Sequence, residues 1–389
     1  MMMDTYHGLS ERACRRAWIE LDLKSLRHNV GLIRSLLRPG TGLIAVVKSD
    51  ALGHKARIVA PCMQELGVDF FAVATLNEAI ELREAGITGS ILILGHTDPM
   101  FLPELLEYRI TQTLIDQDHA LLLDRAAAKA GRRPEAHLKI DTGMHRLGID
   151  ARTPAEAAGM FALKNLNITG VYTHLAATDS IAPQDIAYTE MQIDAFYKLI
   201  HALKERGVRV PLTHMQNTYG LINYPDITCD RVRVGAMLYG MGSREPQKSS
   251  VVLDLRPVLS LRAKITTTRT LAEGECFGYG MMFRAERKSR IAILPLGYTE
   301  GIPRKLACGK GTAIVKGIRV PIAGLVCMDQ LALDVTEVPQ VNAGDVATFI
   351  GRDGDLENEI VDVANAAETL HAEIYCRLGR RLSTVVIDD

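Results

Sequence analysis

The chain has 389 residues, of which 47% are apolar and 23% charged, an ordinary globular composition that is long enough for two or three domains and excludes both wholesale disorder and a disulfide-dense miniprotein. Forty-five basic and 46 acidic side chains nearly cancel, and no block of like charges occurs. Neither nucleic acid nor an anionic membrane is therefore expected as a partner, and a small molecule is expected instead.

The N-terminus and the cysteines indicate where the chain is located. No apolar run approaches the ~20 residues that a membrane helix needs. The N-terminal segment, MMMDTYHGLSERACRRAW, lacks the apolar region of a secretion signal. Seven scattered cysteines form no Cys-x-x-Cys pair. We expect a cytoplasmic protein with no membrane span and no metal centre.

Strands and helices alternate between about residues 40 and 240, where short β-branched runs are separated by stretches of helical periodicity. The predicted strands are 43–48, 70–75, 91–95, 111–115, 137–141, 170–174, 212–216 and 231–235. The predicted helices include 56–67, 77–86, 99–109, 119–131 and 187–207, several of them ended by a glycine. Eight βα units in this length predict an α/β fold with a (β/α)8 TIM barrel.

The pattern changes from about residue 246, where long alternating runs follow one another with few helices. These runs are 255–271, 289–296, 311–335 and 345–351, followed by a helix at 360–373 and a last strand at 382–388. An early strand at 18–23 could pair with either domain. We therefore predict a barrel over residues 1–245 and a mainly-β C-terminal domain over residues 246–389.

Polar side chains concentrate near the ends of the predicted barrel strands, where TIM-barrel enzymes carry their catalytic groups. Lys48 ends the first strand, Lys139 lies in the fifth with Arg146 seven residues later, and His174 ends the sixth, followed by Asp179. Taken alone, a strand-end lysine is either a snorkelling cation or a desolvated, nucleophilic amine. A lone histidine is more often structural, so it is the combination that indicates function.

A phosphate site is predicted after strands seven and eight. Asn217 and Thr218 follow strand seven, and Arg233 leads into a turn of small residues at Gly235 and Ala236. Such a turn offers backbone N–H donors to an anion. A phosphate site opposite a strand-end lysine is what a pyridoxal 5′-phosphate enzyme requires, since the amine binds the cofactor and the anion site anchors it.

Seven segments extend this interpretation over nearly the whole chain. They are AVVKSDALGHK, KIDTGMHRLG, VYTHLAATD, RVRVGAMLYG, CFGYGMMFRAE, LGYTEGIPR and GLVCMDQ. In order and spacing they resemble the alanine racemases of fold type III. The resemblance implies a pyridoxal 5′-phosphate enzyme that interconverts L- and D-alanine and supplies D-amino acid for cell-wall peptidoglycan.

The resemblance also assigns the two bases and the cofactor contacts. It implies that Lys48 binds the cofactor and serves one face of the substrate. It implies that Tyr279 serves the other face from the partner subunit of a homodimer, the alternative being a packed strand aromatic. Arg233 is expected to face the pyridine nitrogen, where a guanidinium that only donates hydrogen bonds keeps that nitrogen unprotonated. His174 is expected to lie against the cofactor ring.

Further residues are assigned around the substrate. The resemblance implies that Arg146 meets the cofactor phenolic oxygen or the substrate carboxylate. Lys139 matches a lysine that is carbamylated in some members, the alternative being an ordinary surface lysine. The family's substrate-binding and access positions match Met328, Asp329, Tyr298, Arg304 and Asp179.

Two family tyrosines are missing from this chain, whereas Thr218 preserves the hydroxyl of the usual serine. Leu52 replaces the tyrosine of the lysine motif, and Ala372 aligns with a tyrosine that touches phosphate and crowds the substrate. A register shift would instead make Tyr375 its equivalent. The smaller Ala372 predicts a wider pocket that admits serine as well as alanine.

These losses, together with ILILGHTDP, TQTLID and NTYGLINYPDITCDRVRVG, are most similar to the racemase domains of glycopeptide-resistance serine/alanine racemases, which carry a fused membrane domain. Three alternatives remain open from the sequence. They are a type III amino-acid decarboxylase, a non-catalytic pyridoxal-phosphate-binding protein, and a degenerate barrel used for assembly.

Overall fold

The computed structural model describes residues 14, 16–242, 249, 251–379 and 381–388. Its contacts divide the chain into two compact units. Among the described residues, the first unit takes those within 26–51 and 55–256, and the second takes those within 14–25, 52–54 and 257–388. Strand β1 (Ala17–Asp22) leads directly into helix α1 (Leu23–Leu36).

The first unit is a closed eight-stranded parallel barrel, as predicted. Its strands are β2 (Gly42–Val46), β3 (Phe70–Val73), β4 (Ser90–Ile93), β5 (Thr111–Leu114), β6 (Glu135–Asp141) with the two-residue β7 (Ile149–Asp150) beside it, β8 (Asn167–Tyr172), β9 (Leu212–His214) and β10 (Arg231–Val234). Parallel pairing runs from β2 to β6 and on through β8, β9 and β10, and pairing of β10 with β2 closes the ring. All eight predicted strands are confirmed.

Helices follow the barrel strands. They are α2 (Ala56–Glu65), α3 (Leu76–Glu84), α4 (Leu102–Glu107), α5 (Gln117–Ala130), α6 (Pro154–Met160), α7 (Pro183–Glu205) and α8 (Thr218–Asn223). Local signals fix their ends: Thr75 forms a capping box with Glu78, Asp116 caps α5, and Gly131 ends α5 with φ of 60°. Helices α1, α6 and α8 were not predicted.

The second unit is built around one long sheet. Its remaining strands are β11 (Leu259–Lys264), β12 (Thr267–Leu271), β13 (Cys276–Phe277), β14 (Phe283–Arg284), β15 (Ser289–Leu294), β16 (Thr312–Val315), β17 (Ile318–Ala323), β18 (Leu331–Asp334), β19 (Val346–Asp353), β20 (Leu356–Asn358) and β21 (Ser383–Ile387), with helices α9 (Ile360–Ala366) and α10 (His371–Cys376). The sheet order is β12-β15-β18-β17-β16-β19-β11-β1-β21. The mainly-β C-terminal domain is confirmed, and Ile291, Ala323 and Ala332 form a buried cluster in it.

Two predictions about boundaries need correction. The predicted division at 245/246 lies outside the described residues. We predicted that residues 16–25 belong to the barrel, but they belong to the second unit. Strand β1 instead pairs antiparallel with β11 and parallel with β21. Local periodicity could not predict this pairing, because both partner strands lie far along the chain. The predicted helix 360–373 is two helices, since Glu368 takes a positive φ of 54° between them. Within the described residues, no helix is long and apolar enough to span a membrane.

Candidate active site

A cavity of about 330 Å³ lies in the barrel unit, near the C-terminal ends of its strands. It is lined by Val46, Lys48, Ala74, Leu94, Gly95, Lys139, Arg146, Leu147, Tyr172, His174, Asn217, Thr218, Arg233 and Gly235. Four of the lining residues are lysine or arginine, and none of the lining residues is aspartate or glutamate. The lining therefore carries a surplus of positive charge that fits an anionic ligand.

Lys48 reaches this cavity at the start of a strained turn. Strand β2 ends at Val46, and the next residue still bonds the neighbouring strand, with Val47 N–H donating to Ala72 O at 2.9 Å. Residues 49–52 then all take left-handed backbone angles, with φ between 53° and 57°. None of them is glycine, so each costs roughly 1–2 kcal/mol. Strain of this kind is concentrated at functional sites, which marks the segment beside Lys48.

Side chains hold this turn in place. Glu78 Oε1 accepts a hydrogen bond from Ser49 N–H at 2.6 Å, and Asp50 Oδ1 accepts one from Ala56 N–H at 2.8 Å. Both carboxylates thus satisfy backbone donors around the left-handed residues. The position of the lysine at the strand end is therefore set by the barrel and by these two contacts.

Arg233 is buried at the end of β10 and is held by backbone carbonyls rather than by a carboxylate. Its Nη1 donates to His214 O at 3.1 Å, and its Nη2 donates to Thr173 O at 2.7 Å and to Met215 O at 3.0 Å. Nη1 also donates to His214 Nδ1 at 2.6 Å. Burial lowers the pKa of Arg233 to about 10, so the guanidinium remains a cation at neutral pH.

His174 stays neutral beside this cation. Its Nδ1 lies 3.3 Å from Arg233 Nη2 and accepts a hydrogen bond, because a guanidinium can only donate, and this places the imidazole proton on Nε2. Burial and the charge of Arg233, followed by those of Lys139, Arg146 and Lys48, lower the pKa of His174 to about 2. The ring therefore presents a neutral surface to the cavity.

Lys139 is buried on β6, so the alternative of an ordinary surface lysine is wrong. Its Nζ donates to Ile140 O at 2.9 Å and lies 5.4 Å from the centre of the Tyr172 ring. Burial and the charge of Arg233 lower the pKa of Lys139 to about 7, although Asp141 opposes this shift. A large fraction of this amine is therefore neutral at physiological pH.

Arg146 lies in the loop that follows β6, and Asp141 shapes the start of that loop. The Asp141 carboxylate accepts hydrogen bonds from Gly143 N–H at 2.9 Å and His145 N–H at 3.0 Å. Gly143 has φ of 137°, an angle that an L side chain rarely adopts. The loop therefore has a defined path that carries Arg146 to the cavity.

The predicted phosphate residues come together at one side of the cavity. Asn217 caps α8 by accepting from Gly220 N–H at 2.8 Å, and Thr218 is the first residue of that helix. Gly235 N–H donates to Thr218 Oγ1 at 3.3 Å, and Ala236 follows in a short 3₁₀ turn. The Thr218 hydroxyl and the backbone of Gly235 and Ala236 thus lie within one small region, which suits a phosphate.

The site residues predicted in the C-terminal domain lie in the second unit. Tyr279 is 73% exposed, which excludes a packed strand aromatic. Tyr298 and Met328 are also exposed and lie on adjacent loops, since Tyr298 N–H donates to Cys327 O at 3.0 Å. Asp329 accepts a hydrogen bond from Arg381 Nη1 at 2.8 Å. Arg304, also in this unit, is exposed, as is Asp179 in the barrel unit.

Ala372 and Tyr375 are both on α10, and the structure distinguishes their surroundings. Tyr375 is 1% exposed and its ring packs edge-on against His54, with 4.8 Å between ring centres. A Cβ on Gly53 would lie only 2.2 Å from Tyr375 O, so this region is closely packed just after Leu52. Ala372 is half-buried. The Tyr375 ring is therefore fixed in the interior of this unit.

Sequence reasoning missed the polar interior beneath the cavity. His137 Nδ1 lies 3.0 Å from His214 Nε2, and the Tyr172 ring stacks on His214 with 4.6 Å between centres. Burial and Arg233 lower the pKa of His137 to about 3, so this pair is uncharged. The sequence contains a signal for this interior. Side chains alternate between the two faces of a strand, so His137 and Lys139 lie on the same face, and a buried Lys139 implies a buried His137.

Comparison with known proteins identifies both units. Residues 21–243 match the family model for the alanine racemase N-terminal domain, and residues 258–386 match the model for the alanine racemase C-terminal domain. The alanine racemase of Clostridium difficile 630 has a similar structure, with a TM-score of 0.89 and 29% identity over 96% of each chain.

Curated relatives are similar over nearly the whole chain. An amino-acid racemase of Enterococcus faecalis is 40% identical over 95% of this chain, and a serine/alanine racemase of Enterococcus gallinarum is 37% identical over 95%. The chain spans about half the length of these two relatives, 51% in each case. An alanine racemase of Methanococcus maripaludis is 35% identical over 95% of this chain and 98% of its own length.

Proposed function

This chain belongs to the alanine racemase family, and on that premise we propose that it racemises a small amino acid with pyridoxal 5′-phosphate as its cofactor. The observation that carries this proposal is the barrel cavity, which is lined by a strand-end lysine and three further lysine or arginine side chains, with no carboxylate in the lining. Members of the family depend on this cofactor. The conclusion is an isomerase acting on an amino acid.

The residues in the cavity fit the cofactor by charge and by donor chemistry. Lys48 would hold it covalently, while the Thr218 hydroxyl and the N–H groups of Gly235 and Ala236 would bind its phosphate. Asn217 supports this phosphate site by capping α8. When bound, the cofactor withdraws electrons from the substrate Cα and so acidifies the α-proton.

Arg233 and His174 would determine how strongly the cofactor ring withdraws electrons. Arg233 is fixed by three carbonyls and can only donate hydrogen bonds, so it would keep a facing ring nitrogen unprotonated. This weakens the ring as an electron sink and discourages reprotonation at the wrong carbon. His174, which is neutral, would lie against the ring without adding charge.

Two bases on opposite faces of the substrate would exchange the α-proton. Lys48 would hold or release it on one face, and Tyr279 on the other, because one rigid side chain cannot easily serve both faces. We propose that the chain acts as a homodimer in which Tyr279 serves the partner subunit's site. The high exposure of Tyr279, Met281 and Met328 supports an unpartnered surface in this unit of the single chain.

Lys139 is proposed to be carbamylated. The neutral amine would attack carbon dioxide, forming an N–C bond as one C=O π pair moves onto oxygen, and the nitrogen would lose a proton to water to give an anionic carbamate. Burial beside Arg233 and Arg146 supports both steps, since it leaves a large fraction of the amine neutral at physiological pH and supplies cations that stabilise the product anion. The carbamate would then orient Arg146 toward the cofactor phenolic oxygen or the substrate carboxylate.

Alanine is proposed as the main substrate and serine as a second one. Ala372 lacks the volume of the bulky family tyrosine beside the substrate, Leu52 lacks a hydroxyl near the phosphate, and a wider pocket discriminates weakly against one hydroxyl. The name of the Enterococcus gallinarum relative, a serine/alanine racemase, supports this range. Met328, Asp329 and Tyr298 are proposed to contact the substrate, and the product would serve peptidoglycan synthesis in the cytoplasm.

A chiral assay tests the proposal. Purified protein is incubated with L-alanine, L-serine or a basic amino acid, with and without added pyridoxal 5′-phosphate, and both enantiomers and carbon dioxide are measured. Formation of D-alanine that depends on the cofactor supports racemisation. Release of carbon dioxide would indicate the related decarboxylase chemistry, and cofactor binding without turnover would indicate a non-catalytic cofactor-binding protein.

A further inference from the structure

Helix α7 places a buried amide in the middle of an apolar face. Gln192, Phe196, Leu199 and Leu203 are all buried and recur at intervals of four, three and four residues, as expected for the helix face that packs on a barrel. Gln192 is 0% exposed. Burying an amide costs roughly 1–3 kcal/mol unless its hydrogen bonds are restored. A leucine at position 192 would extend the apolar face without this cost, so packing alone does not account for the amide.

All three hydrogen bonds of this amide go to loops at the ends of barrel strands. Gln192 Oε1 accepts from Ala176 N–H at 2.8 Å. Its Nε2 donates to Thr142 Oγ1 at 3.2 Å and to His174 O at 3.3 Å. One side chain therefore connects the loop that follows β6 with the segment that follows β8.

These two segments carry two of the side chains that line the cavity. The loop after β6 carries Arg146, and the segment after β8 carries His174. A hydrogen bond of 2.8 Å between Thr142 Oγ1 and Thr173 Oγ1 joins them a second time, close to the Gln192 amide. Thr173 O in turn accepts from Arg233 Nη2. The hydrogen bonds of Gln192, Thr142 and Thr173 thus connect to the segments that carry Arg146 and His174 and to Arg233 itself.

Tyr188, one helical turn before Gln192, contacts the same loop. Its hydroxyl donates to Gly143 O at 2.7 Å. Thr189 lies on the same part of α7 and is equally buried, but its hydroxyl donates only within the helix, to Asp185 O at 2.8 Å. Thr189 is therefore a matched control for Gln192, because it is a buried polar residue on α7 whose hydroxyl bonds its own helix and not the loops.

We propose that Gln192 is a positioning residue that sets the placement of Arg146 relative to His174 and thereby controls productive binding of the amino-acid substrate. The inference rests on the proposed function, because it assigns Arg146 and His174 to cofactor and substrate. Gln192 itself does not line the cavity. Its effect is transmitted through Thr142 on one side and through the backbone of residues 174–176 on the other.

The first test uses the apoprotein and does not depend on activity. Hydrogen–deuterium exchange is measured over residues 142–147 and 174–178 in the wild type, in Gln192→Met and in the control Thr189→Val. Gln192→Met removes all three hydrogen bonds at nearly constant volume, so exchange should accelerate in both segments. Thr189→Val should leave both unchanged. Unaltered exchange in Gln192→Met, or equal acceleration in the control, overturns the proposal.

A second variant keeps the test valid if Gln192→Met does not fold. Tyr188→Phe removes one hydroxyl from a partly exposed ring, so the fold should survive. It should accelerate exchange over residues 142–147 and leave residues 174–178 protected, because only Gly143 O loses a partner. Acceleration in both segments or in neither contradicts the connection that we infer.

Kinetics of the cofactor-loaded enzyme then separate positioning from mere stability. Gln192→Met should lower kcat/KM for alanine by about tenfold or more, mainly through KM, since small misplacements of binding groups are costly. Its affinity for pyridoxal 5′-phosphate should change less, because the phosphate contacts are untouched. Thr189→Val should stay within about twofold of the wild type. Equal kinetic losses in both variants would reject a positioning role, whereas an inactive wild type would reject the proposed function instead.

Discussion

Replacement of Lys139 tests the electrostatics of the cavity directly. Lys139 is 6% exposed and has Arg233 and Arg146 nearby, with Asp141 as the opposing charge. Lys139→Met keeps most of the side-chain volume and removes only the amine. The variant should therefore report what it costs the folded protein to bury that charge.

The magnitude follows from the lowered pKa. A shift from 10.5 to about 7 corresponds to about 5 kcal/mol, since one pKa unit is about 1.4 kcal/mol. Below pH 7 the amine is charged in both the folded and the unfolded chain, so its contribution is constant. Between pH 7 and 10.5 only the unfolded chain holds the proton, so the free energy of unfolding rises with pH. From pH 7 to pH 9 the wild type should gain about 2 kcal/mol relative to Lys139→Met.

Urea unfolding of the two apoproteins at pH 7 and pH 9, followed by circular dichroism, measures this difference. The buffers are kept free of carbon dioxide so that the amine stays unmodified. A difference between wild type and variant that does not change with pH would refute the reasoning, because Lys139 would then be charged in the folded protein. In a parallel sample, labelled bicarbonate should give a carbamate signal by nuclear magnetic resonance in the wild type and not in Lys139→Met.

Three further predictions concern the bases and the pocket. Lys48→Ala should abolish the visible absorption of the purified enzyme after dialysis, because that amine is the proposed covalent link; a retained spectrum contradicts the assignment. Co-refolding of inactive Lys48→Ala and Tyr279→Phe chains should restore part of the activity, since each heterodimer would contain one intact site; no recovery in proven heterodimers rejects the shared site. Ala372→Tyr should lower serine turnover relative to alanine by about tenfold, in line with roughly 1–3 kcal/mol for a pocket contact. An unchanged ratio measured by chiral chromatography places specificity elsewhere.

The barrel could be predicted from the sequence because each strand carries its own local signal. β-Branched runs such as 43–48 and 91–95 are bounded by turns and helices, and their number alone indicates closure. The strand-end positions of Lys48 and His174 followed from this order. The pairing of β1 with β11 and β21 could not be predicted, because it joins residues more than 200 positions apart.

The polar interior could not be predicted in full because its meaning depends on contacts across the barrel. His137, Tyr172 and His214 belong to three strands, and only closure of the barrel places His214 between His137 and Arg233. The left-handed turn at residues 49–52 was also missed, since none of these residues is a glycine that would announce a positive φ. In both cases tertiary contacts stabilise what the local sequence does not favour.

One charge, that of Arg233, links these features. It contributes to lowering the pKa values of His137, His174, His214 and Lys139, so a single buried guanidinium helps to keep three imidazoles and one amine from adding further positive charge. Arg233 itself is held by neutral acceptors, three backbone carbonyls and the Nδ1 atoms of His214 and His174. Lys48 and Arg146 add their own charges to the lining. Anions that enter the cavity would relieve this repulsion, so binding of the proposed cofactor's phosphate and of a substrate carboxylate there would also stabilise the fold. The unbalanced charge that destabilises the barrel would therefore also favour binding of the proposed anionic cofactor and of a substrate carboxylate.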